Sequence, residues 1–239
     1  MTHSHNTTHV FAAIGQQALI VSCQPVVGGA LDRDDIVVAL AQAAVAGGAK
    51  AVRIEGVKRV QAVKAAVNVP VIGIIKRPEE PRVYITPYLA DVDALAEAGA
   101  DIIAFDATQR SRPVSVSALI ERGHSHQRVM MADCATAADA TNAATLGCEI
   151  VGTTLSGYIT PAGEPNPEPP LEPDLDLVRT LAARGLRVIA EGRINTPEQA
   201  KQALDAGAWA VTVGTALTRL ELTTRWFTDA MSVSSKLEP

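Results

Sequence analysis

The hydrophobic positions of this chain fall into short β-branched runs, each followed by an alanine-rich stretch whose apolar residues recur every three or four positions. Runs over 19–24, 51–56, 71–76, 101–107, 128–134, 150–155, 187–192 and 210–214 read as eight strands. They are apolar almost to their ends, the mark of strands covered on both faces, as in a parallel sheet packed under helices. The stretches at about 34–46, 57–67, 88–98, 115–122, 136–146, 174–184, 196–206 and 221–231 carry helical spacing, and Gly47-Gly48 and Gly99 are placed to end two of them.

Eight strand-then-helix units joined by short links predict a single (β/α)8 TIM barrel of the α/β class, spanning 19–232, and 239 residues suit that fold. An open, doubly wound sheet is the competing arrangement, but no Gly-x-Gly-x-x-Gly follows the first strand. Residues 1–18 form an N-terminal tail and short helix: the polar opening from Met1 to His9 reads as a frayed terminus, and 11–17 as a short helix under the first strand. Residues 233–239 read as a C-terminal tail. One compositional break, 157–173, holds six prolines and is long enough to act as a lid.

Composition narrows the function. A net charge of −5 without a basic block argues against nucleic acid or an acidic membrane as partner, while leaving room for one local phosphate pocket. No apolar run approaches the roughly 20 residues of a membrane span and no signal segment opens the chain, so the expected compartment is the cytoplasm. Cys23, Cys134 and Cys148 have no paired spacing, and the histidines near the start lack neighbouring carboxylates. No metal and no cofactor are therefore expected.

The polar residues that end the apolar runs carry the candidate chemistry. In a barrel they meet at the C-terminal rim, where this fold builds its active sites. They include Gln24, Arg53 and Glu55, Lys76, Asp106, Asp133, Thr153 or Thr154, and Glu191. Each alone has an ordinary structural explanation, such as a solvated lysine or a helix cap. Those explanations do not account for both signs of charge gathering at one end of an apolar barrel. Gly192 with Arg193, and Gly214 with Thr215 and Arg219, follow the last two strands, where glycines admit backbone N–H groups to a ligand and arginines supply charge. That pattern predicts a phosphate cradle. An amine and a carboxylate facing one pocket, Lys76 and Glu191, suit proton abstraction beside a carbonyl. The same amine would also serve a Schiff-base aldolase or synthase, and the cradle alone would suffice for a non-catalytic phosphosugar-binding protein.

Taken in order, Ser22-Cys23-Gln24, Val52-Arg53-Ile54-Glu55-Gly56, Ile75-Lys76-Arg77, Ala132-Asp133, Gly152-Thr153-Thr154-Leu155-Ser156-Gly157-Tyr158, Ala190-Glu191-Gly192-Arg193-Ile194 and Val213-Gly214-Thr215-Ala216-Leu217-Thr218-Arg219 resemble the N-acetylmannosamine-6-phosphate 2-epimerase family. The resemblance covers every predicted strand. It implies interconversion of N-acetylmannosamine 6-phosphate and N-acetylglucosamine 6-phosphate in sialic-acid breakdown, without metal or cofactor, by an enzyme of a type that forms homodimers. It further implies that Lys76 transfers the proton and Glu191 is the carboxylate beside it. Gln24, Arg53 and Asp133 then match sugar-contacting positions, and Gly192, Gly214, Thr215 and Arg219 the cradle. A neutral Lys76 is expected to be favoured by Arg53 and Arg77 and opposed by Glu191.

Overall fold

The computed structural model describes residues 2–80, 82–160 and 163–232; the tail expected over 233–239 lies outside them. Eight parallel strands, β1 (Ala18–Ser22), β2 (Ala51–Glu55), β3 (Val71–Ile74), β4 (Ile102–Asp106), β5 (Val129–Asp133), β6 (Ile150–Gly152), β7 (Val188–Glu191) and β8 (Ala210–Val213), each pair with the next, and β8 returns to β1. The sheet is a closed barrel, and the doubly wound alternative is excluded. Around it lie α2 (Asp34–Ala46), α3 (Val57–Ala66), α4 (Leu89–Glu97), α5 (Val116–Ser125), α6 (Ala137–Thr145), α7 (Leu175–Ala183) and α8 (Pro197–Asp205), preceded by α1 (Thr2–Ile14) and followed by α9 (Thr215–Thr218) and α10 (Leu220–Ser232). Local chemistry fixes several starts. Thr136 with Asp139 and Thr196 with Gln199 form reciprocal capping boxes that satisfy the first free N–H groups of α6 and α8.

Strand alternation divides the apolar residues into two cores. Outward residues such as Val52, Ile54, Ile103 and Phe105 pack under the helices. Inward residues, among them Ile20, Ala51, Ile72, Ile102, Val129, Met131, Ile150, Ile189 and Ala210, fill the barrel. In six of the strands the inward series ends in a polar residue: Ser22, Arg53, Asp106, Asp133, Glu191 and Thr212. The rim is thus one continuation of the interior pattern.

Three features depart from the sequence reading. The opening residues are helical from Thr2 rather than frayed, because Val10 and Ile14, one turn apart, bury in the barrel interior, with Phe11 edge-on to Trp209 and the Arg187 guanidinium 3.6 Å from the Phe11 ring. Tertiary burial outweighs a weak intrinsic helix. The stretch between β8 and the helix expected at 221–231 forms the short turn of α9, tied down by Thr218, whose hydroxyl donates to Ser22 O at 2.8 Å. Lastly, β3 stops at Ile74, and it pairs with β4 only through Ile72 and Gly73. Beyond that point the two strands part. Tyr84, Ile85 and Thr86 return to fill the gap, with Lys76 bridged antiparallel to Ile85.

Candidate active site

The upper mouth opens into a cavity of about 490 Å³, within the range that holds a small phosphorylated sugar. Lys76, Glu191, Arg53, Gln24, Arg219 and Thr154 all face it. At its centre Arg53, 1 % exposed, reaches across from β2. Its Nη2 lies 2.6 Å from Asp133 Oδ2 on β5 and its Nη1 2.9 Å from Glu191 Oε2 on β7. Burial alone would weaken the guanidinium's hold on its proton, but the two carboxylates overcome that and keep it charged.

The ionisable pair responds to this setting in opposite directions. Burial lowers the Lys76 pKa, and the cations of Arg53 and Arg219 lower it further, against the opposing pull of Glu55 and Glu191. Arg77, expected to assist, instead points away to Asp91 at 2.6 Å. Arg219 takes its part. Burial pushes the Glu191 carboxyl up to about 7, with Arg53 and Lys76 opposing the rise and Asp133 adding to it. An amine inclined to lose its proton and a carboxyl inclined to keep one therefore share a cavity. Since β3 and β7 lie four strands apart in an eight-stranded ring, the two enter from opposite sides of the barrel axis.

The remaining expected residues fall into two groups. Gln24 lines the cavity and donates to Ser22 Oγ at 2.8 Å, while its carbonyl accepts from Arg219 Nε at 3.0 Å. Gly192, Gly214 and Thr215 line it next to Arg219. Gly192 has φ +109°, a conformation that glycine adopts freely, and a Cβ at Gly214 would press on Ser22 Cβ at 3.3 Å. Asp133, Thr153 and Arg193 are placed otherwise. Asp133 lies beneath the cavity with its oxygens held by Arg53 and by the Thr154 hydroxyl at 2.7 Å. Thr153 turns its hydroxyl onto the backbone of Glu191, donating to its carbonyl at 2.9 Å and accepting from its N–H at 3.0 Å. Arg193, at φ +59°, borders the cavity but gives its guanidinium to the carbonyls of Glu172 and Ser156, over the ring of Tyr158. It fastens the proline-rich segment. Asp106 is likewise held by Arg110, at 2.6 Å.

Sequence reasoning missed Tyr84, Arg82, Arg110, Asn166 and Asn195, all of which line the cavity. The run Val83-Tyr84-Ile85-Thr86 between two prolines was the available signal for the first. The proline-rich segment supplies a wall through Tyr158, Ile159, Pro165 and Asn166, and Glu164 on it meets Arg82 at 2.9 Å.

Residues 37–233 match the family model described as "Putative N-acetylmannosamine-6-phosphate epimerase". Relatives named "Putative N-acetylmannosamine-6-phosphate 2-epimerase" in Escherichia coli O9:H4 (strain HS) and Shigella flexneri are each 57% identical over 214 residues, covering 89% of this chain and 91% of theirs. The solved N-acetylmannosamine-6-phosphate 2-epimerase from Clostridium perfringens superposes with a TM-score of 0.85 at 40% identity, covering 91% of this chain and 94% of the other. On the match of family model, sequence and barrel together, the chain belongs to the N-acetylmannosamine-6-phosphate 2-epimerase family.

Proposed function

We propose that this protein is an isomerase that interconverts N-acetylmannosamine 6-phosphate and N-acetylglucosamine 6-phosphate by moving a proton at C2, and that Lys76 and Glu191 carry the proton on opposite faces. The observation that carries this reading is their entry from opposed strands into one cavity, with pKa values displaced in complementary directions. Once the sugar ring opens, C1 is an aldehyde and the C2 proton becomes acidic. Neutral Lys76 takes that proton, the C2–H electron pair forms the C1–C2 double bond, and the carbonyl pair moves onto the C1 oxygen. Protonated Glu191 then returns a proton to the other face, and the enolate collapses back to the aldehyde. One turnover leaves Lys76 protonated and Glu191 ionised, the states the reverse reaction uses, and proton exchange with solvent resets the pair for another turnover in the same direction.

Gly192, Gly214, Thr215 and Arg219 are the proposed phosphate cradle, supported by their grouping around one corner of the cavity. Gln24 is placed to contact the sugar. Asp133 and Thr153 act through Arg53 and Glu191. The reaction as written requires no metal or cofactor. Among the described residues no helix is long and apolar enough to cross a membrane, which agrees with the proposed cytoplasmic setting. The homodimer expected of the family type is supported by α10, where Leu220, Phe227 and Met231 share one face and are 62 %, 72 % and 77 % exposed. Phe227→Asp should halve the mass seen by light scattering; an unchanged mass would remove α10 from the interface.

Proton NMR in deuterium oxide tests the reaction: N-acetylmannosamine 6-phosphate should convert to its epimer with deuterium at C2. No conversion refutes the epimerase. A borohydride-trapped adduct on Lys76 would favour the Schiff-base alternative.

A further inference from the structure

The segment between Pro78 and Pro87 holds a cavity-lining tyrosine, Tyr84, that the proton-transfer scheme leaves unused; the other tyrosine on the cavity wall, Tyr158, lies under the Arg193 guanidinium. Its ring rests on the top of the inward core, the cluster that includes Ile74, Ile85, Ala104 and Leu155. The same cavity that receives Lys76 and Glu191 receives Tyr84. Its hydroxyl has no hydrogen-bond partner among the described residues. A half-buried phenol left without one has its donor free for a ligand.

The backbone that presents it is fastened more firmly than a surface loop. Arg77 N–H donates to Tyr84 O at 2.8 Å, Thr86 N–H to Ile75 O at 2.7 Å, and Asp106 N–H to Ile85 O at 3.0 Å. Thr86 is fully buried at φ +47°, a conformation that is costly for a β-branched residue. Its hydroxyl accepts from Ile75 N–H at 3.2 Å and donates to Ala104 O at 2.7 Å. Thr86 thus bolts the returning segment to both of the strands that have parted, one residue from Lys76 on the first. Strain retained in a buried, fully bonded residue beside a reactive lysine is the pattern of a site held in one geometry.

The deprotonation described above places negative charge on the C1 oxygen, and the scheme as given supplies that oxygen with no uncharged donor. From this geometry we infer that the Tyr84 hydroxyl donates a hydrogen bond to the C1 oxygen as the enolate forms, and that Thr86 is the positioning residue that fixes Tyr84 and Lys76 relative to one another. Tyr84 remains protonated in that role, because burial and the charges of Asp133 and Asp106 raise its pKa, against Arg53 and Arg110. A donor aimed where charge develops acts mainly on the transition state. The inference rests on the epimerase reading.

The test compares the full-length wild type, Tyr84→Phe, Thr86→Val and Thr86→Ser by epimerisation and by C2 deuterium uptake. Tyr84→Phe removes one oxygen and should lower kcat and the rate of deuterium uptake together by about 10²–10³-fold, the loss seen when one such donor is removed, with KM nearly unchanged. Thr86→Val, which keeps the shape and loses both hydroxyl bonds, should lower kcat at constant KM, and Thr86→Ser should restore most of it. Normal kcat in a folded Tyr84→Phe overturns the inference. So does a rise confined to KM, which would mean the hydroxyl binds ground and transition states alike. Loss of kcat in Thr86→Ser equal to that in Thr86→Val would remove the positioning role. Active wild type with a silent Tyr84→Phe defeats this inference alone, whereas inactive wild type defeats the epimerase reading and this one with it.

Discussion

The two mouths of the barrel are made by the same eight strands and do opposite work. Below, Val10 and Ile14 of α1 join Ala18, Ile20, Ala51 and Ala210 in an interior free of charge. Two residues further up, the inward positions become Ser22, Arg53, Asp133, Glu191 and Thr212, and the mouth stays open. The lower end adds stability by burying apolar surface. The upper end holds desolvated charges whose pairing offsets what their burial costs. The axis of the barrel therefore separates residues that keep the fold from residues proposed to do the chemistry, and substitutions at the two ends should register in different measurements.

Lys76→Ala should show that separation most sharply. The rate should fall at least ~10²–10⁴-fold, as for a lost general base, while the thermal midpoint moves little, since Lys76 is half-buried beyond the end of β3. A folded variant with near-normal turnover would shift the chemistry to another rim group, Glu191 first. Ile14→Ala is the counterpart at the closed end. Truncating a side chain that is 3 % exposed should cost ~2–5 kcal/mol in denaturant titrations, with kcat and KM unchanged in the folded fraction. A kinetic defect there would break the division. The smallest effect tests whether the upper end is itself divided. Arg219→Ala removes charge remote from C2, so KM should rise roughly tenfold to a hundredfold, the value of one charged hydrogen bond. It also removes a cation that depresses the Lys76 pKa. The amine should then hold its proton to higher pH, and the ascending limb of kcat/KM should move upward. A limb moving downward would contradict the assignment of Lys76 as the base.

The parts of this arrangement that sequence revealed are those written in strand periodicity. Lys76 and Glu191 end apolar runs and Arg53 shares its strand face with Glu55, and that suffices to bring them to one rim. What stayed hidden depends on geometry finer than alternation. Thr153 and Thr154 are adjacent, and because β6 ends at Gly152 only the turn decides that Thr154 faces the cavity while Thr153 clamps Glu191. Asp133 resembles a substrate contact until the length of Arg53 is seen to cover it. Arg193 looked like part of the cradle, but its positive φ sends the side chain to the proline-rich segment. Tyr84 was the least accessible, since a four-residue run of β-branched and aromatic residues inside a long connection gives no sign that two barrel strands part to receive it.

Arg53 also has a mechanical consequence. By joining β2 to both β5 and β7 through short ion pairs, it acts as a brace that triangulates the circular cross-section of the barrel. A ring can flatten into an ellipse at little expense, whereas a triangle of fixed sides cannot deform without breaking one of them. The frame supporting the two proposed proton carriers is therefore braced in the plane where they face each other, and accommodation to two epimers of different shape is left to the walls above it.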